Sequence, residues 1–298
     1  MEEIKITFLG TGDSIPTAKR NHTAIFVDIG RENILVDCGE GTQKQLKIAG
    51  ISPTKIDKIL ITHWHGDHIL GLPGLLQTLF MMNYSKTLKI YGPKGTNHYI
   101  SLIRELIKRI NIKLEVHEVS GIFIKDKDFH IEAESMSHGT PVNAYSIVFE
   151  ERRRIDKKKL KKFKVPNTPL IKNLQQGKDI VINGMKIKAS SVSYIEKGKK
   201  ITFILDTGMN SNAVKIAKDS DILIAESAFS IKDKEKAREY LHLTSADAAT
   251  IAKKAKVKKL FLTHISQRYE RNLEMIEKEA KKIFKNVSLA KDFEKVVL

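Results

Sequence analysis

"KILITHWHGDHILGLPGLL", residues 58–76, sets three histidines and an aspartate within six positions directly behind an apolar run. "KILITH" (58–63) reads as a strand and "ILGLPGLLQTLFMMN" (69–83) as a mostly buried helix, with Pro73 tolerable near its start. His63, His65, Asp67 and His68 therefore fall on a tight loop at the carboxyl end of a strand. Imidazole nitrogens and a carboxylate converging at such a place are ligands for a borderline cation such as zinc. A single histidine on an apolar strand is usually structural, but four potential ligands in six residues are poorly explained by packing.

Working outward, the chain alternates short β-branched runs with amphipathic or apolar helical stretches. "IKITFLG" (4–10), "TAIFVDI" (23–29), "NILVDCG" (33–39), "LKIYGP" (88–93) and "LEVHEV" (114–119) read as strands. "TQKQLKIAG" (42–50), closed by Gly50, and "NHYISLIRELIKRI" (97–110) read as helices. The second half repeats the style, with strands near 129–137, 144–150, 186–194, 201–206, 222–227 and 259–264. Its helices fall near 210–218, 244–256 and 272–284. No repeat of short fixed period is present. Two sheets packed face to face with helices outside, an α/β layered sandwich, fit this order best.

Three further ligand types end apolar runs: His138 in "SMSHGTP", Asp206 in "ITFILDTG" and His264 in "KKLFLTHIS". Ligands at several strand ends on one edge can converge on one site. Phosphate-binding groups stand close to the same strand ends, with Lys19, Arg20 and Asn21 in "SIPTAKRN" and Ser266 and Arg268 in "HISQRY". A solvated loop is the competing account of both. Trp64, inside the metal motif, is placed either to stack a base or to cover the ions. "ILDTGMN" lacks the second hydroxyl residue of an aspartic protease turn, and "YGPKGT" lacks the full phosphate-loop pattern, so both are set aside.

Composition bounds the partners. Fifty-two Lys and Arg against 35 Asp and Glu leave a net charge of +17, which suits a polyanion such as nucleic acid but also a lysine-rich surface built for solubility. The single cysteine, Cys38, allows no internal disulfide, and no apolar run reaches the 18 or so residues that span a bilayer. With no signal-peptide pattern in "MEEIKITFLGTGDS", a soluble cytoplasmic protein is expected. One segment breaks the pattern: in "RRRIDKKKLKKFK" (152–164), nine of thirteen residues are Lys or Arg, and "VPNTPLIKNLQQG" follows. Such charge density is expected not to fold on itself and to lie outside the core as a protruding or mobile excursion.

Taken together, these motifs resemble the metallo-β-lactamase superfamily, whose signature is H-x-H-x-D-H followed by a distant His, Asp and His. Within it the chain is similar to the ribonuclease Z group, endonucleases that trim the 3′ side of precursor tRNA. The similarity runs through "FLGTGDSIPTAKRN", "DCGEGTQKQL", "THWHGDHILGLPGLL", "IYGPKG", "SHGTP", "LDTG", "ESAF", "YLHLTSADAA" and "LTHISQRY". It implies one domain over residues 1–298 with a four-layer αβ/βα sandwich, and a flexible RNA-binding arm inserted at 152–178. It also implies two zinc ions per chain, one held by His63, His65 and His138, the other by Asp67, His68 and His264, with Asp206 bridging. Such a pair activates water for attack on a phosphodiester and leaves a 3′-hydroxyl on the tRNA.

The same resemblance pairs His242 with Glu226 to protonate the leaving group, and gives Asp67 a share in the attacking water. Without it His242 reads equally as a packing histidine before the capped helix "LTSADAA". Arg152, Arg153, Arg154, Lys157, Lys158 and Lys159 become RNA contacts of the arm, although "PNTPL" with Thr168-Pro169 stands where many members carry Gly-Pro. A homodimer is implied as well. A small-molecule hydrolase of the same fold and a metal-free RNA-binding scaffold are the alternatives. The basic cluster between His138 and Asp206 disfavours the first, and seven competent ligand types disfavour the second.

Overall fold

The computed structural model describes residues 3–108, 111–163, 165–166, 168–182 and 184–298. Arg109 and Ile110 at the end of the expected helix 97–110, Lys164 in the basic run and Asn167 in "PNTPL" lie outside the described residues. Two seven-stranded sheets make the centre. The first runs in space Lys295–Val297, Lys5–Gly10, Ala24–Asp28, Asn33–Val36, Lys58–Leu60, Leu88–Gly92, Leu114–Glu118. The second runs Val287–Leu289, Lys259–Thr263, Ile222–Glu226, Lys199–Ile204, Asn143–Phe149, Phe129–Ser135, Gly121–Lys125. Each is antiparallel on one side and parallel on the other.

Side-chain alternation explains the layering. Along Asn33–Val36, Ile34 and Val36 enter the core between the sheets with Phe8, Ile147, Phe203 and Phe261, while Leu35 packs on the other face. Both faces are apolar because both are covered. Helices Thr42–Ile48, Leu72–Met81 and Thr96–Leu106 cover the first sheet through Leu46, Leu75, Leu79 and Ile100. Helices Ser211–Ala217, Ser245–Lys254 and Leu273–Lys281 cover the second through Ile216, Ala248, Ile251 and Ile276. The result is the four-layer αβ/βα sandwich. Pro73 sits in the first turn of its helix, where its missing N–H costs nothing.

Two expectations need correction. The strand expected near 186–194 is broken: Met185–Ile187 and Ser193–Glu196 are strands, and Ala189–Val192 between them is a helical turn. The Asp179 carboxylate accepts the Ala189 N–H at 2.9 Å, which starts that turn and takes the donor out of any ladder. The basic excursion, expected to lack a fold of its own, has one. Arg152–Ile155 pairs antiparallel with Ser193–Glu196, and Ile180–Ile182 pairs with Met185–Ile187. Helices Lys157–Lys162 and Ile171–Gln175 help bury Leu160, Leu174, Ile180, Ile187, Ala189 and Val192 in a separate small core. The charge defeats folding only if it must be buried; here the lysines stay outside and apolar residues between them point in. The excursion consequently extends to Glu196 rather than to 178. Where it leaves the sandwich, a Cβ on Gly198 would stand 2.4 Å from the Phe149 carbonyl oxygen, so only glycine lets the two chains cross.

Candidate metal centre and its cleft

Strand ends assemble the site. His63 follows the strand Lys58–Leu60, His138 follows Phe129–Ser135, Asp206 follows Lys199–Ile204, His264 directly follows Lys259–Thr263, and Glu226 ends Ile222–Glu226. His65, Asp67 and His68 lie on the loop and single helical turn after His63. All four parallel strands release their chains on the same edge, where α/β proteins place ligands. Two glycines bring a second loop in. A Cβ on Gly71 would meet the Gly39 oxygen at 2.1 Å, and one on Gly39 would meet the Asp67 oxygen at 2.4 Å. This close contact delivers Asp37 to His68.

The seven residues predicted as ligands converge in two sets that share Asp206: His63, His65 and His138 with Asp206, and Asp67, His68 and His264 with Asp206. His68 Nε2 is 3.3 Å from both Asp67 and Asp206, and His264 Nε2 is 3.2 Å from both. His63 Nε2 lies 3.5 Å from Asp206, and the ring nitrogens of His65 and His138 approach to 3.3 Å. His63 Nε2 and Asp206 Oδ1 face this space and are buried without a hydrogen-bond partner among the described residues. Unsatisfied buried polar atoms cost roughly 1–3 kcal/mol each, so two of them at one cluster mark a site built for something bound. Neutral imidazoles and ionised carboxylates fit a borderline divalent cation.

Burial would lower His68 and His264, but Asp206 outweighs it and lifts both above the ordinary imidazole range, so protons on these rings balance the carboxylates where a bound cation would replace them. Burial holds the His63 imidazole well below its ordinary pKa. Burial alone would raise the Asp206 carboxyl, but His264, His68 and His63 outweigh it and keep it well below the carboxylate range. Asp67 is likewise held down, against burial, by hydrogen bonds from His264 and His68.

The outer contacts fix each ring. His68 Nδ1 is 2.7 Å from Asp37 Oδ2, His63 Nδ1 is 3.1 Å from the Thr62 hydroxyl, and His138 Nδ1 donates to the Leu241 carbonyl at 3.0 Å. Thr62 in turn donates to Asp37 through both its N–H and its hydroxyl. Such partners leave Nε2 of each ring for a metal. Asp37, Asp206, Leu241 and His264 all have left-handed backbone, with φ of 57°, 27°, 54° and 54°. Such strain, roughly 1–3 kcal/mol per residue, persists where surrounding structure enforces it. Asp37 and Leu241 were missed in the sequence; the only signal for Asp37 was a charged residue closing the apolar run "NILVD".

Beside the ligands, His242 Nδ1 lies 3.1 Å from both oxygens of buried Glu226. Burial alone would lower the His242 pKa, but Glu226 outweighs it and lifts the ring to about 10. The cleft, about 530 Å³, is lined by Asp13, Ser14, His65, Asp67, His138, Asp206, Phe229, Tyr240, His242, His264 and Arg268, among others.

Other predicted residues scatter. Arg268 is exposed in the cleft wall, its guanidinium 5.0 Å from the Phe229 ring centre. Lys19 is exposed on the loop that carries Asp13 and Ser14. Arg20, expected to face phosphate, is turned inward and 4% exposed; it donates to the Thr11 hydroxyl at 2.6 Å and the Ala290 carbonyl at 2.8 Å, so it braces the loop instead. Asn21 donates to the Glu40 carbonyl, and Ser266 is buried. Trp64 is buried in the layer that covers the first sheet and does not line the cleft: it donates to Thr96 at 3.0 Å and stacks on Tyr99. In the excursion Lys157, Lys158 and Lys159 are exposed, whereas Arg152 and Arg154 each pair with Glu196 at 2.8 Å and Arg153 donates to Ser193.

A layered αβ/βα sandwich with this His and Asp cluster at its strand ends defines a metal-dependent hydrolase of the metallo-β-lactamase fold. Comparison with known proteins narrows the class. Ribonuclease Z of Nanoarchaeum equitans (strain Kin4-M) is 40% identical over 269 residues, covering 90% of this chain and 85% of the relative. That of Archaeoglobus fulgidus is 37% identical over 298 residues, covering 97% and 96%. The crystal structure of human tRNase Z, short form, covers 98% of both chains with a TM-score of 0.71 at 28% identity. The metallo-β-lactamase-fold protein YhfI of Bacillus subtilis shares the fold, with a TM-score of 0.73 at 20% identity and full coverage of both chains. Residues 4–155 also match the family of the anti-Pycsar protein Apyc1, a stretch that stops short of Asp206, Glu226, His242 and His264. The chain belongs to the ribonuclease Z family, whose members here support a metal cofactor, and its His and Asp cluster could hold one.

Proposed function

We propose that this protein is an endoribonuclease that removes the 3′ trailer from precursor tRNA with two zinc ions, leaving a 3′-hydroxyl on the tRNA. The observation that carries the reading is the pair of ligand sets sharing Asp206 beside the His242–Glu226 couple. Its relatives' shared name supports it. Zinc held by the two sets would lower the pKa of a bound water and neutralise phosphoryl oxygens.

This chain's own residues supply the rest. Asp67, a ligand within reach of the open cleft, also orients the attacking water. As the water-derived oxygen bonds to phosphorus, the bond to the ribose 3′ oxygen breaks and that oxygen needs a proton. His242 gives it from Nε2, because Nδ1 is occupied by Glu226, which also keeps the ring charged. The phosphate leaves on the trailer. Arg268 and Lys19 hold flanking phosphates.

The 152–196 excursion is the arm that grips tRNA. Its exposed Lys157, Lys158, Lys161 and Lys162 face solvent for phosphates, Lys159 leans on Asp156 at 3.9 Å, and Arg152 and Arg154 stiffen its base. The homodimer is supported by large apolar side chains left exposed over the first sheet: Met81 and Leu106 on its outer helices are each 75% exposed, and Ile48 and Leu70 each 57%. Met81→Asp should convert a dimer to monomer in sedimentation and spare hydrolysis of a small phosphodiester; an unchanged mass rejects this interface. Among the described residues no helix is long and apolar enough to cross a membrane, and we place the protein in the cytoplasm with its RNA.

The test is incubation of metal-stripped and zinc-restored protein with an unprocessed tRNA, followed by mapping of the ends. A single zinc-dependent cut at the 3′ side, with a 3′-hydroxyl on the tRNA, is expected. Absence of cutting by a protein holding two zinc ions rejects the reading.

A further inference from the structure

The cleft has a wall that neither metal binding nor proton transfer uses. Phe229 follows the strand that ends in Glu226, and Tyr240 lies between the helix Lys234–Glu239 and His242. Their rings are parallel, 6° apart in plane with centroids 6.4 Å apart. Phe229 is 5% exposed and Tyr240 56% exposed, so the pair has a buried inner layer and an open outer one at the rim. The left-handed Leu241 sets Tyr240 and His242 on either side of one tight turn, and the Leu241 carbonyl is tied to His138. The outer ring is thereby registered to the metal ligands through two covalent neighbours rather than floating on a surface loop.

We propose that Tyr240, backed by Phe229, is a stacking shelf for the base of the nucleotide on the 5′ side of the scissile bond. The inference rests on the ribonuclease reading given above. Single-stranded RNA ends are recognised by splaying bases onto aromatic faces, with cations nearby for phosphate, and Arg268 beside Phe229 completes that pairing. The 5′ nucleotide is the one selected, because its ribose carries the leaving oxygen. His242 must reach that oxygen, and the Phe229 ring centre is 5.9 Å from that of His242. A base attached to the same ribose therefore lands beside the His242 turn. Stacking without hydrogen-bond readout accepts any base. Tyr240 is thus a positioning residue: it sets where the 3′ oxygen sits.

The experiment compares parent, Tyr240→Ala and Tyr240→Phe enzymes on three RNAs: an intact precursor tRNA, one abasic at the nucleotide 5′ of the cut, and one abasic at the nucleotide 3′ of it. Zinc content by elemental analysis reports the metal centre, because an aryl diester would set its own ring on the shelf. Tyr240→Ala should lower kcat/KM on intact precursor by about 5- to 150-fold, the span expected for one stacked base. Tyr240→Phe should retain it, and all three should hold the same zinc. The 5′ abasic RNA should be cut more slowly by the parent and no more slowly still by Tyr240→Ala, whereas the 3′ abasic RNA should cost both equally. If Tyr240→Ala cuts intact precursor within two-fold of the parent, or if the 5′ abasic penalty is the same in both, the shelf is refuted while the ribonuclease reading stands. A parent that holds zinc and leaves precursor tRNA whole removes both.

Discussion

The metal cleft and the 152–196 arm are built on opposite rules. In the cleft, polar residues are buried, strained and tied to one another: Asp37, Asp206 and His264 have left-handed backbone, and His63, His68 and His138 each have one ring nitrogen held by a neighbour. In the arm the polar residues are lysines in solvent, and order comes from six buried apolar side chains and a two-stranded base. The first arrangement fixes atoms and keeps few alternatives. The second fixes only a direction and a charge. Cutting a bond needs the former and gripping a polyanion needs the latter, so damage to one region should leave the other's task standing.

The largest effect is expected in the metal cleft. Asp67→Ala should abolish cleavage, by more than the roughly 10²–10⁴-fold typical of losing an acid–base group, and leave binding of precursor tRNA within a few-fold. Cleavage near the parent rate would remove Asp67 from the mechanism. Next, His242→Ala should slow single-turnover cleavage by about 10²–10⁴-fold at unchanged metal content. Loss of metal in this variant would make His242 a ligand and sink its assignment as the acid. Smaller still, Asp37→Asn should weaken metal affinity by about 10- to 100-fold through the orientation of His68, measured by chelator competition, with cleavage recovered at high zinc. Unchanged affinity would show that the His68 ring is held by its packing alone.

The sequence showed the cleft more clearly than the arm, for a physical reason. Metal ligation demands particular residue types at strand ends, so the 58–76 stretch, His138, Asp206 and His264 could be read directly, and the layered fold followed from the alternation around them. Asp37 and Leu241 were hidden because their roles depend on contacts across 31 and 103 positions of chain. Arg20 misled because a cation beside a binding loop looks the same whether it faces solvent or Thr11 and Ala290. The arm was misread as unfolded since its apolar residues, Leu160, Leu174 and Ile180 among them, are spaced by lysines and form no periodic face long enough to stand out.

Deleting 152–196 and measuring two substrates together tests the division of labour most directly. Arg152 and Glu196 are paired neighbours, so a short linker from Glu151 to Lys197 can close the gap without disturbing the sheets. The shortened protein should hydrolyse bis-p-nitrophenyl phosphate at the parent rate, bind precursor tRNA much more weakly, and show a flatter dependence of that binding on salt because fewer counterions are released. A shortened protein that binds and cuts precursor tRNA as the parent does, with the same salt slope, would contradict the account.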